Sequence, residues 1–221
     1  AFAIFGAVNA GLAVRRTWRT VANWTHEAEP TNMPAPVPVL RIARAVPAMT
    51  AAGIVRPRVL LSGAAEFVLT AKELHTALNH EVAHVRRRDN LKKLLLRFVA
   101  FPGMGALEAA WFETTEMAAD DAAVSSVGEA LDLAAALIKL SRLGPAAPAA
   151  DLTTALVHSP AELMNARVER LLVWRNERRV PRQVKSTWYG LTAALATIAV
   201  FAVTYSQLLV HVHTATEWLV R

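Results

Sequence analysis

The chain has no cysteine. No disulfide framework and no thiolate zinc site can form, so any metal it holds must be bound by histidine and carboxylate. No internal repeat is visible along its 221 residues. Acidic residues are the minority: 18 Asp and Glu stand against 24 Lys and Arg, for a net charge of +6. Such a balance points to nucleic acid or to a membrane surface, and the distribution of the charges decides between them. Arg15, Arg16 and Arg19 follow an apolar start, while Arg175, Arg178, Arg179, Arg182 and Lys185 precede an apolar run. Charge at the ends of apolar segments reads as membrane topology rather than as a face that binds nucleic acid directly.

With 54% hydrophobic residues, there is material for one compact domain and a greasier part besides. Residues 1–14 are apolar apart from Asn9, and read as the end of a transmembrane helix. Residues 15–38 form a connector, stopped by prolines at 30, 34, 36 and 38. Short aliphatic and β-branched runs at 39–42, 48–51 and 58–61, separated by Gly53, Pro57 and Gly63, predict a small sheet of about three strands. Either of the latter two runs could offer an edge to an extended peptide. Thr70-x-x-Glu73 is a capping box that opens a helix continuing into residues 86–88. Residues 90–101 mix Lys92, Lys93 and Arg97 with Leu94, Leu95, Leu96, Phe98 and Val99, which suits a helix at headgroup level or one packed on the domain's own core. Further helices are expected over 106–123, from Ser126 to Gly144-Pro145, and from Ser159-Pro160 to Trp174. Residues 188–210 are uncharged, would reach roughly 34 Å as a helix, and read as a second transmembrane segment. By the positive-inside rule everything between the two segments faces the cytoplasm.

The stretch from Asn79 to Val85 reads His-Glu-x-x-His. Residues four apart share a helix face, so His80 and His84 can present two imidazoles to one metal ion. Glu81 sits beside them, placed to take a proton from a water molecule. The plain alternative is a polar patch on a basic helix. A catalytic zinc usually takes three protein ligands and leaves a fourth position open. Glu113 and Glu116 are the candidates for the third. Asp120 lies four residues beyond Glu116, where it can accept a hydrogen bond from a ligand imidazole, whereas Met117 holds that place after Glu113. Glu116 is therefore preferred, against the alternative of a solvated acidic face. His75 lies off the face of His80, and His211 and His213 have no third partner. The arginines at 86–88 read as contacts to lipid headgroups.

The run HEVAHVRRRDN from His80 to Asn90, followed by Glu116-Met117-Ala118-Ala119-Asp120, resembles the BlaR/MecR-type membrane-embedded zinc peptidases. More distantly it resembles the HtpX-type and CAAX-prenyl endopeptidases. The resemblance covers roughly residues 45–175 and implies one zinc ion held by His80, His84 and Glu116, with Glu81 as general base and Asp120 behind a ligand. His158-Ser159-Pro160, with Arg167-Val168-Glu169-Arg170-Leu171, looks like the His-Pro…Arg-x-x-x-Leu segment of the HtpX-type enzymes, with Ser159 inserted. On that likeness His158 approaches the site, to stabilise an oxyanion or cover the open position; a capping-region histidine with no role is the alternative.

The expected architecture is then a mainly α domain with a small β-sheet, an α+β gluzincin-like zinc peptidase, flanked by transmembrane helices. Its divisions are the end of a transmembrane helix at 1–14, a connector at 15–38, a cytoplasmic metallopeptidase domain at 39–175 (with 92–112 able to lie against the membrane), a basic juxtamembrane segment at 176–187, a transmembrane helix at 188–210 and an extracytoplasmic tail at 211–221. The expected function is a membrane-anchored endopeptidase that cleaves a protein substrate, a transcriptional repressor by the resemblance. Its partners are that substrate and the lipid bilayer, with no direct nucleic-acid contact and a homo-oligomer left open. An HtpX-like quality-control protease and a catalytically silent zinc-binding scaffold are the alternatives.

Overall fold

The computed structural model describes residues 2–43, 48–99, 104–143, 150–156 and 161–175. The chain divides into two units between Asn176 and Glu177, and all the described elements belong to the first. Helix α1 (Phe2–Thr25) is followed by strands β1 (Glu29–Pro30), β2 (Val39–Ile42), β3 (Met49–Ala52) and β4 (Arg58–Ser62). Helices α2 (Gly63–Val68), α3 (Ala71–Arg86), α4 (Asp89–Val99), α5 (Gly105–Ala123) and α6 (Val127–Ser141) come next, then β5 (Thr154–Ala155) and α7 (Ala161–Leu172). The five strands form one mixed sheet in the order β1-β2-β4-β3-β5. β2 and β4 run parallel, and every other neighbouring pair is antiparallel.

Alternation along β4 divides the core into two layers. Val59 and Leu61 face α3, α6 and α7, where they join Ala77, Leu78 and Val82 of α3, Leu133, Leu137 and Leu140 of α6, and Leu171 of α7. Leu60 points to the other face, against Trp24 of α1 with Ile42 and Ala52. Successive strand residues point to opposite faces, so a strand covered on both sides has no polar alternation to show. α3 starts where the capping box predicts. The Thr70 hydroxyl accepts from the Glu73 amide at 3.3 Å, and the Glu73 carboxylate accepts from the Thr70 amide at 2.8 Å. Glu73 also receives Lys139 of α6 at 2.7 Å, which ties the start of α3 to its neighbour.

The transmembrane architecture is corrected here. Among the described residues no helix is long and apolar enough to cross a membrane. The apolar start does not end in a connector at residue 15: α1 continues through Arg15, Arg16 and Arg19 to Thr25. Arginine is a good helix former, so charge interrupts the apolar run without interrupting the helix. α1 packs on α4 instead: Gly6 sits against the Phe98 carbonyl so closely that a Cβ would clash with it, and Asn9 donates to the Arg97 carbonyl at 2.8 Å. The expectation of a multi-pass membrane protein falls with it. On α4, Lys93 turns inward to the Thr153 carbonyl at 2.6 Å, while Leu95, Phe98 and Val99 are exposed. Residues 188–210, the other expected span, lie outside the described residues.

Candidate metal centre

Four elements converge on the middle of α3. His80 and His84 lie one turn apart on the face turned toward α5, and the two Nε2 atoms are 3.0 Å apart. From α5, Glu116 brings Oε2 to 3.5 Å from His80 Nε2 and Oε1 to 3.4 Å from His84 Nε2. Glu113, the competing candidate, is exposed to solvent on the same helix. Nitrogen and oxygen ligands held about 2.0–2.1 Å from a tetrahedral ion stand roughly 3.3 Å from one another. The three separations lie within a few tenths of an ångström of that spacing. Both Glu116 oxygens are buried and accept no aligned hydrogen bond. The Arg167 guanidinium meets Oε2 at 2.8 Å; Oε1 is left without a donor, a costly state for a buried acceptor unless a cation meets it, so the residues present fit a metal. The buried group His80, His84 and Glu116 can hold one ion.

Each imidazole is backed by a carboxylate on its outer nitrogen. His80 Nδ1 lies 2.9 Å from Asp120 Oδ1, four residues beyond Glu116 on α5 as the spacing predicts. His84 Nδ1 is hydrogen-bonded to Asp89 Oδ2, also at 2.9 Å. The bond at His84 places the proton on Nδ1 and leaves Nε2 as the donor atom for a metal; at His80 the contact with Asp120 is close but not aligned as a hydrogen bond. The sequence does not single out Asp89, because helix spacing does not carry across the end of α3. There the chain turns through Arg88, whose φ of 55° is in the left-handed region. That turn starts α4 pointing back, with Asp89 under His84 and its other oxygen, Oδ1, held by Lys92 at 2.8 Å. Asn90 then donates to the carbonyls of Ala51 and Gly53 at 3.2 and 3.1 Å, fixing α4 to the end of β3.

Glu81 is fully buried. Its Oε2 accepts from the amide of Ala51 on β3 at 2.8 Å, while Oε1 has no hydrogen-bond partner. Burial pushes this carboxyl up to about 8; the His84 charge opposes the shift and the Glu116 charge adds to it. Burial alone would lower the two imidazoles, but the nearby carboxylates of Asp120 and Glu116 raise His80, and those of Asp89 and Glu116 raise His84. Burial likewise works against Glu116, yet the two histidines and Arg167 hold it well below the ordinary carboxylate range.

Arg167 of α7 is the other residue that sequence spacing does not assign to the site. It is completely buried and meets Asp120 through a two-pronged contact, Nε to Oδ2 at 2.8 Å and Nη2 to Oδ1 at 2.7 Å. Its Nη1 lies 2.8 Å from Glu116 Oε2 and donates to the Leu156 carbonyl at 3.1 Å. Met164, Arg167 and Leu171 share the buried face of α7, so a signal existed: an arginine at an otherwise apolar position of a 3-4 pattern. His158 lies outside the described residues.

No family model matches this chain, and no curated protein is found to be similar to it. The likeness to the BlaR/MecR-type peptidases therefore rests on the motif residues themselves. The strand edges correct another expectation. β4 is interior, and the outer edge of β3 is paired with β5, Thr50 with Ala155 and Ala51 with Thr154. The Thr50 hydroxyl also reaches the Thr154 carbonyl. A surface cavity of about 500 Å³ lies beside His84 and Asp89, walled by Gly53, Val55, Pro57, Arg88 and Asn90.

Proposed function

We propose that this protein is a zinc-dependent peptidase. The observation that carries the reading is Glu81: a carboxyl buried beside the cage imidazoles, one oxygen fixed and the other, Oε1, left without a partner. A metal site that only stabilises a fold closes its coordination with protein ligands and has no use for such a group. A donor set of two imidazoles and one carboxylate suits zinc, which as a Lewis acid brings the pKa of a water toward neutrality and polarises a carbonyl. The rest is done by the chain. Glu81 Oε1 takes a proton from the attacking water and passes it to the leaving amine, while the Ala51 amide keeps Oε2 from swinging away. Asp120 and Asp89 hold the imidazoles with Nε2 turned inward. The substrate is a protein, and the motif's resemblance makes a transcriptional repressor the first one to try.

The test compares the parent with Glu81→Gln on casein and on quenched fluorescent peptides, with zinc measured in both. Zinc should be equal in the two proteins, and cleavage should fall by about a hundredfold or more in the variant. A Glu81→Gln protein that cleaves as fast as the parent removes the mechanism. A second reading, a zinc-bound fold without turnover, is favoured by one observation: His80, Glu81, His84 and Glu116 are at most 2% exposed. Stoichiometric zinc without cleavage of any substrate would select it.

A further inference from the structure

Arg167 carries a charge shut away from solvent. A fully buried guanidinium serves two carboxylates at once: the third ligand of the cage and the carboxylate behind its first imidazole. The contact with Asp120 is a two-pronged one that fixes the carboxylate in plane, and the contact with Glu116 engages Oε2, leaving Oε1 turned to His84 Nε2. Resting on the reading of His80, His84 and Glu116 as a metal cage, we propose that Arg167 is a positioning residue that shares the charge of Glu116 with a bound metal ion, so that guanidinium and metal are negatively coupled.

Two effects oppose each other. Arg167 orders Glu116 and Asp120, which favours metal binding. It also places a fixed positive charge against the carboxylate that a divalent cation would use, which disfavours it. Comparison of the two forms decides the sign. Without Arg167, the metal-free protein holds two buried anions with no guanidinium between them, the arrangement that removal of one member of a buried ion pair always makes severe. In the metal-loaded protein the ion itself supplies positive charge to Glu116. Loss of Arg167 therefore harms the metal-free form more than the loaded one, and the fold becomes dependent on metal. The feature that lets the cage stay assembled without an ion is the same one that moderates its grip on the ion.

The experiment is a thermal-unfolding cycle on the full chain. Parent, Arg167→Met, Arg167→Lys and Arg170→Met are each stripped with EDTA, then titrated with zinc chloride. Arg170 lies on the same helix and pairs with Asp121 and the Met117 carbonyl rather than with Glu116 or Asp120, and serves as the control for loss of an α7 arginine. The expected result is a zinc-induced rise in Tm about twice as large in Arg167→Met as in the parent, with Arg167→Lys between them and Arg170→Met equal to the parent. A purely structural arginine would lower the metal-free and loaded Tm alike. An equal or smaller zinc response in Arg167→Met overturns the proposal. If Arg167→Met folds only with zinc present, the proposal is supported; if it folds in neither condition, Arg167→Lys decides by the same comparison. A parent that gains nothing from zinc, and behaves like its His84→Ala variant, overturns the cage reading and this coupling together.

Discussion

Glu73 shows how much a single side chain can join. It caps the helix that carries the candidate ligands and bonds to α6 through Lys139. Burial would raise its carboxyl, but Lys139 and Thr70 outweigh burial and hold it below 4.5. A group whose pKa is lower folded than unfolded contributes stability above the unfolded value and loses it as pH falls through the folded one. Glu73→Gln keeps the capping geometry but loses the charge paired with Lys139 at the helix N-terminus, so it is expected to cost about 0.5–1 kcal/mol at pH 7, and to show a smaller fall in Tm than the parent between pH 6 and pH 3.5. Thermal unfolding by circular dichroism at several pH values reads both. Equal acid slopes would mean that the capping carboxylate does not titrate with folding.

Among the elements, α3 was legible and α1 was not, for opposite physical reasons. The start of α3 is written locally, in the Thr70 and Glu73 exchange, and its ligand face follows from helical spacing alone. So does the relation of Glu116 to Asp120 on α5. The three longer strands also lie at or within one residue of the aliphatic runs. By contrast, the apolar half of α1 looks like a span because its partner, α4, lies some ninety residues away. Asp89 and Arg167 are hidden in the same manner: one is delivered through a left-handed turn, the other across 47 residues of sequence. Their chemistry was visible as residue type, but their place was not. The α1–α4 crossing is directly testable. Gly6→Ala puts a methyl where the Phe98 carbonyl already lies, so a loss of about 1–3 kcal/mol is expected in urea unfolding. A neutral result would show that α1 can move off α4 freely.

At the scale of the whole molecule, two observations stand together: a set of buried ionisable groups gathered around one point, and a small sheet packed between α1 and the helices that carry them. Charges so placed make the fold sensitive to its ligand. A zinc dissociation constant a hundredfold below the free zinc concentration corresponds to about 2.7 kcal/mol of stabilisation. Unfolding midpoints should thus rise with zinc and return on chelation. His84→Ala should abolish the response, and a rise that persists in that variant would place the ion elsewhere. The sheet carries a different consequence. Its two outermost strands, β1 and β5, are two residues long, while the three between them have four or five. A short border strand gives a foreign chain almost no ladder to copy, and Pro30 on β1 lacks an amide to offer. The sheet is thereby guarded at both sides against runaway stacking of one molecule on the next, the route by which exposed strands seed fibrils.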